Sequence, residues 1–443
     1  MKIRRPLALF IVLSISLTPI LPSFSISFVD ASYPPESHLI EGVPYVGQTG
    51  PYCSYASAAM AIKYHEMNAT EHEVLYNSGM GYSLRYPTPY LKYQLREGSE
   101  ISYLPTDREF LANLYSLSYE KWQANSTLSE EERWNEYWVR VKENITKDVP
   151  LITTVFSFVI LADEFNVKIQ DKSWNSIPKF LTFSGHAIVI VGFNESNQTV
   201  CFNDPQTALF GHPEYGIYKW ININEFKIAI SKASPLTGFS YTIEVFKETL
   251  NDSLSQEEMF KIAHKRNIER MRGNRSAYDE KVFVDGQAET ELGINALKAF
   301  KKDLDSELIN QLKIIQSYKR TCSKLHLPLQ YRAFKIMRID EIIRQWVLNF
   351  YYQHYIQKLN ISQYLLRTYP KLNDPNLSEL CKNEAILFGQ EAEAWSEFAE
   401  LYNQFAKRGI FLSYLRGLII IQKMTKVLED IITIEQKIID NSI

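Results

Sequence analysis

Beyond about residue 250 the strand-like runs of this chain stop, and helical patterning takes over. That change constrains the fold more than any single motif. Before it stand Val149–Phe158, His186–Phe193, Thr199–Asn203, Gly216–Ile221 and Phe239–Phe246. These runs are rich in Val, Ile, Thr, Phe and Tyr and bounded by Asn, Asp, Gly or Pro, which predicts strands. Two helices are expected ahead of them. Cys53–Glu66 carries Ala56, Ala58, Ala59, Met60, Ala61 and Ile62, apolar nearly all round as a buried central helix should be. Leu128–Lys147 follows Thr127-Leu-Ser-Glu-Glu, which supplies capping chemistry. A helix followed much later by several strands is an α+β pattern rather than alternating β-α-β units.

The second part begins at Leu250, where Asn-Asp-Ser-Leu-Ser-Gln-Glu-Glu precedes the helical spacing of Met259, Ile262 and Ala263. Leu292–Leu304, Leu308–Lys324, Tyr331–Tyr355 and Ser378–Lys407 continue it. The last helix shows a stripe of Met424, Val427, Leu428, Ile431, Ile432 and Ile438 with a period near 3.6, which is core patterning. The expectation is an α+β domain over 39–248 followed by an all-α helical domain over 250–443.

At the other end, Lys2, Arg4 and Arg5 precede an apolar run from Pro6 to about Ile20, and Val29-Asp30-Ala31 offers a small-x-small cleavage site. That is the layout of a secretory signal peptide over 1–31. The chain is then expected outside the cell, or held at the surface if the segment stays uncleaved. The apolar stretch Gly409–Ile421 is interrupted by Arg416 and reads as buried helix, so no membrane span is expected after the signal. Nine Asn-x-Ser/Thr sequons, at Asn68, Asn125, Asn144, Asn194, Asn197, Asn251, Asn274, Asn360 and Asn376, fit an exported glycoprotein. A formal net charge of −3 makes nucleic acid a poor partner. Four cysteines in 443 residues leave packing, not a disulfide framework, to hold the fold.

One of those four, Cys53, stands where Gly50-Pro51 gives way to the small-residue helix. The thiolate is the reactive form of cysteine, and a helix N-terminus favours it. A nucleophile there needs a base, and the base needs an orienting group. His186 opens the most apolar strand, Ser-Gly-His-Ala-Ile-Val-Ile-Val-Gly-Phe, which would hold the ring firmly at a strand edge. Asn203-Asp204-Pro205 ends the next strand, and the turn Asn194–Gln198 would fold Asp204 back toward His186. Asn203 could orient the histidine instead. Successive strand residues face opposite ways, so only one of the two meets the ring, and a carboxylate also stabilises the imidazolium. Gln48, five residues before Cys53, can donate to the developing oxyanion. His212, in a Gly-His-Pro turn, has no strand to hold it and reads as surface loop.

These residues resemble the bacteriocin-processing, double-glycine leader type of cysteine peptidase domain, as an exported stand-alone member. The matching pieces are VPYVGQTGPYCSYASAAMAIKY, KDVPLITTVF, GHAIVIVGF and NDP…GIYKWININEF, within roughly Leu39 to Lys247. The resemblance implies a papain-like fold, with Cys53 as nucleophile, His186 as base, Asp204 as orienting acid and Gln48 as oxyanion donor. The spacing of Cys53 and His186 also falls in the roughly 130–150 residues of papain-type enzymes. Two features depart from the family pattern: Ser54 stands where Gly is usual after the cysteine, and Gln48 is five rather than six residues ahead of it. A second stretch, His72-Glu-Val-Leu-Tyr-Asn-Ser-Gly-Met-Gly-Tyr-Ser-Leu-Arg-Tyr, is similar to part of the butirosin-biosynthesis acyltransferase family, itself papain-like.

The sequence thus leads to a secreted cysteine peptidase or amidohydrolase acting on a peptide or protein substrate, without cofactor or metal. The alternatives are acyl transfer by the same triad, or a silent papain-like shell with a partner surface on its helical domain. Cys201 reads as strand core. Cys322 and Cys381 could form a disulfide, and Cys322, His326, His354 and Cys381 lack the spacing of a metal site.

Overall fold

The computed structural model describes residues 35–50, 52–65, 67–82, 84–87, 102–103, 107–156, 185–231, 240–249, 254–274, 290–324, 354–408 and 414–442. The expected signal segment 1–31, the segment 158–183 before the histidine strand, and nearly all of the expected helix 331–355 lie outside these residues. Residues Glu36–Ile443 form one compact unit.

Its elements are β1 (Ser37–Leu39), α1 (Cys53–Tyr64), α2 (Glu71–Asn77), β2 (Leu84–Pro87), β3 (Ser102–Tyr103), α3 (Arg108–Leu114), β4 (Leu117–Gln123), α4 (Glu130–Ile145) and β5 (Leu151–Phe156). There follow β6 (Gly185–Asn194), β7 (Thr199–Asn203), β8 (Lys219–Asn222), α5 (Ile223–Ser231), β9 (Thr242–Glu248), α6 (Gln256–Met271) and β10 (Thr290–Leu292). The chain ends on α7 (Gly293–Lys324), α8 (Ile356–Thr368), α9 (Pro375–Arg408) and α10 (Tyr414–Asn441). This is an α+β fold with a C-terminal helical region.

A seven-stranded antiparallel sheet runs β4-β9-β5-β6-β7-β8, with β1 pairing the far end of β6. β6 is its centre. His186 to Phe193 are all buried, as the unbroken apolar run dictates, because both faces of a central strand are covered. Each Ile or Val fully buried there contributes about 1.5–3 kcal/mol. α1 packs on β5, β6 and β9. Its alanines let it approach the sheet closely, and the Ser57 hydroxyl donates to Ala187 O at 3.0 Å. α4 starts on the capping box of Ser129 and Glu132 that Thr127-Leu-Ser-Glu-Glu forecast. Its Trp134, stacked on Trp138 at 5.4 Å, meets Phe226 of α5 edge-on.

The helical region is not all-α. β10 pairs with β2, completing a three-stranded sheet with β3, so a strand from after residue 250 is built into the earlier part of the chain. No apolar alternation marks Thr290–Leu292, because three residues are too few to carry a period. α2 is the other junction. Tyr76 stacks on Phe260 of α6 at 5.2 Å and meets Tyr364 of α8 at 4.9 Å. Between α8, α9 and α10, Lys358 Nζ bonds Glu391 at 2.8 Å and Glu435 at 2.9 Å, all three fully buried. No helix among the described residues is long and apolar enough to cross a membrane. Of the sequons, Asn68, Asn125, Asn197, Asn274 and Asn376 are exposed, whereas Asn360 is packed inside and has no room for a glycan.

Candidate active site

Cys53 is the first residue of α1, and Tyr52 before it makes no side-chain cap. No side chain competes at the start of α1, and the Ser54 N–H acts on the Cys53 sulfur, where the helix N-terminus favours negative charge. Ser54 next to it has a local purpose. Its Oγ accepts from Arg108 Nη2 at 3.0 Å, and Arg108 of α3 is ion-paired with Glu244 of β9. The hydroxyl that a glycine would lack ties α1, which begins at Cys53, to two neighbouring elements.

His186 is the second residue of β6, opposite Val155 of β5. The β6–β7 hairpin turns at 195–198 and returns Asp204 to the same end of the sheet. His186 Nε2 lies 2.6 Å from Asp204 Oδ1, both side chains almost fully buried. That leaves Nδ1 to face the sulfur, and His186 is the neighbour that acts on the Cys53 thiol. Asn203 turns the other way. Its Oδ1 accepts from Tyr218 N at 2.8 Å, so the alternation along β7 assigns the ring to Asp204.

The environment sets the charge states. Burial would raise the Cys53 thiol, but the hydrogen bond and positive charge of His186 outweigh it and lower the pKa. Burial likewise disfavours the imidazolium, yet the Asp204 charge and hydrogen bond, joined by Cys53, push His186 up to about 10. Asp204 is held below its usual value although burial acts to raise it, because His186 and the Gln206 N–H favour the carboxylate. The arrangement favours a thiolate–imidazolium pair backed by a carboxylate.

Asp204 sits in a cradle that the sequence did not reveal. Gln206 N donates to its Oδ1 at 2.9 Å, and its own N–H donates to Gly216 O at 2.8 Å. Tyr45 Oη donates to Asp204 O at 3.0 Å, and Thr207 Oγ1 lies 3.2 Å from the same oxygen. Gly216 is required by closeness: a Cβ there would stand 2.2 Å from Asp204 O and from Thr207 Oγ1. A glycine in a turn was the only signal available. Tyr45, Thr207 and Arg108 carried none.

Gln48 is 5 % exposed. Its Nε2 donates to Gly50 O at 2.8 Å, leaving the second amide hydrogen for another acceptor, and its backbone N–H reaches Pro205 O at 3.0 Å. The loop before Cys53 is thus tied to the turn after Asp204. The His212 ring is exposed and pairs with Glu214 at 3.2 Å rather than with Asp204. Cys201 and Cys381 are fully buried free thiols, each pushed up to about 12 by burial. Cys381 therefore carries no disulfide; the side chain of Cys322 and all of His326 lie outside the described residues. His354 stacks on Trp395 at 4.3 Å in the helical core. Among the described residues no group of three His, Cys, Asp or Glu could hold a metal.

Residues 40–228 match the model of the Peptidase_C39 like family, a stretch that contains Gln48, Cys53, His186 and Asp204. No curated protein matches the chain.

Proposed function

We propose that the chain is an exported cysteine hydrolase of peptide or related amide bonds, with a papain-like arrangement of helix and sheet. The observation that carries this reading is the buried His186–Asp204 hydrogen bond, with the pKa of Cys53, at the start of α1, lowered by its neighbour His186. The family match over 40–228 supports the reaction class, and the basic, then apolar, N-terminus supports export.

The Cys53 thiolate attacks the substrate carbonyl carbon, and the carbonyl electron pair moves onto oxygen. The Cys53 N–H at the start of α1 and the second Nε2 hydrogen of Gln48 stabilise that oxyanion. His186, protonated at Nδ1, gives its proton to the departing amine as the C–N bond breaks, leaving an acyl-thioester on Cys53. Water then enters. His186 removes its proton, the hydroxide adds to the thioester carbon, and collapse expels the Cys53 thiolate and frees the acid. Asp204 stays ionised throughout and orients the ring through Nε2.

The test is a peptide library incubated under reducing conditions with wild-type and Cys53→Ala proteins. Turnover is expected to fall by at least about a thousandfold in the variant. Cleavage persisting in Cys53→Ala sinks the proposal. Transfer of the acyl group to an added amine, rather than to water, would mark the protein as an acyltransferase.

A further inference from the structure

Thr49, the residue after Gln48, is held from two sides. Its backbone N–H donates to both oxygens of Glu71, at 2.9 and 3.2 Å. Glu71 opens α2 and is only 4 % exposed, and burial pushes its carboxyl up to about 7 against the pull of the Thr49 bonds. On the other side, Asn360 Nδ2 of α8 donates to Thr49 Oγ1 at 3.4 Å. The two partners of Thr49 belong neither to the nucleophile's helix nor to the histidine's strand, and one lies in the C-terminal helical region.

The geometry points to Glu71 and Asn360 as positioning residues that clamp Thr49 and so aim the Gln48 amide at the developing oxyanion. The inference rests on the hydrolase reading, and it gives the helical region a part in the reaction. Gln48 has one side-chain bond of its own, to Gly50 O, so its aim depends on where the backbone at 48–50 is fixed. Bonds from an N–H to an ionised carboxylate are short and directional, which suits Glu71 to fixing that backbone. A donor displaced by about 1 Å loses much of its effect, and a lost oxyanion donor costs roughly a hundred- to a thousandfold in kcat.

Two reactions of the same sulfur separate positioning from folding. Alkylation by iodoacetamide displaces iodide from a saturated carbon and develops no oxyanion. Acylation by p-nitrophenyl acetate passes through a tetrahedral oxyanion and releases p-nitrophenolate. Both are followed at pH 8, where Glu71 is mostly ionised, in full-length wild type, Glu71→Gln, Asn360→Ala and the double variant. Thr49→Val, which deletes only the hydroxyl that Asn360 reaches, serves as the least disruptive variant. The double variant is expected to alkylate at Cys53 within about twofold of wild type while its acylation falls about tenfold or more, in kcat rather than KM. Thr49→Val should follow Asn360→Ala. Acylation unchanged in all variants, or both reactions falling together, overturns the clamp and leaves the hydrolase reading standing. A wild-type protein that alkylates at Cys53 but does not acylate there overturns the hydrolase reading, and the clamp with it.

Discussion

Replacing His186 by alanine is expected to lower kcat/KM by about three orders of magnitude or more, since the ring is asked to hold the thiolate, protonate the leaving amine and activate water. The same change should alter stability in a pH-dependent way. His186 in the folded chain is raised from 6.5 to about 10, so its contribution is fully present below 6.5 and is lost as pH rises through about 10. Asp204 is depressed below 3.8, so its contribution is present above 3.8 and is lost as pH falls through the folded value. Wild type should therefore be most stable between those limits. In His186→Ala a fully buried carboxylate loses its partner, which costs about 3–5 kcal/mol where the group stays ionised. The variant should regain part of that loss on acidification, as Asp204 takes up a proton. Thermal unfolding across pH, beside steady-state kinetics, checks both. A variant whose stability deficit does not depend on pH would show that His186 and Asp204 are not an ion pair.

Gly216→Ala should be the most damaging change outside the four proposed catalytic residues. The added methyl would sit 2.2 Å from the Asp204 carbonyl oxygen and 2.9 Å from Tyr45 Oη. Backbone cannot yield as a flexible side chain does, so the Asp204–Thr207 turn must move. Overpacking of this kind typically costs about 1–3 kcal/mol. The displacement also withdraws the carboxylate from His186 Nε2, now 2.6 Å away. Activity is expected to fall about a hundredfold, with a lower melting temperature. A variant as active as wild type would mean that the turn does not hold the acid in place.

Much of this site was readable from the chain, for a physical reason. Cys53, His186 and Asp204 each stand at the end of a strongly patterned element: the alanine-rich helix, the unbroken apolar strand, and the short strand closed by proline. Element ends are where pattern and polarity conflict, so a polar or titratable side chain shows there. The α+β pattern before residue 250 and the long C-terminal helices were legible on the same grounds. The short elements were not. Glu71–Asn77, Arg108–Leu114 and Leu84–Pro87 are too brief to show a period, and their roles come from partners distant in sequence. Ser54 is the sharpest case. As a departure from the family pattern it carried no local sign of a partner, whereas in the fold it bonds Arg108, distant in sequence. The all-helical expectation missed β10 because pairing with β2 depends on tertiary contact, not on local preference.

A Cys53 thiolate held by His186 is tested by the pH dependence of thiol alkylation in the native protein, mapped by mass spectrometry to Cys53, Cys201 and Cys381. Cys53 alone among these three is expected to react, with an apparent pKa below that of an ordinary thiol that His186→Ala raises. Cys201 and Cys381, buried with raised pKa values, should react only after unfolding. A Cys53 that titrates as an ordinary thiol, or that stays unreactive while either of the others is modified, would contradict a thiolate held by His186.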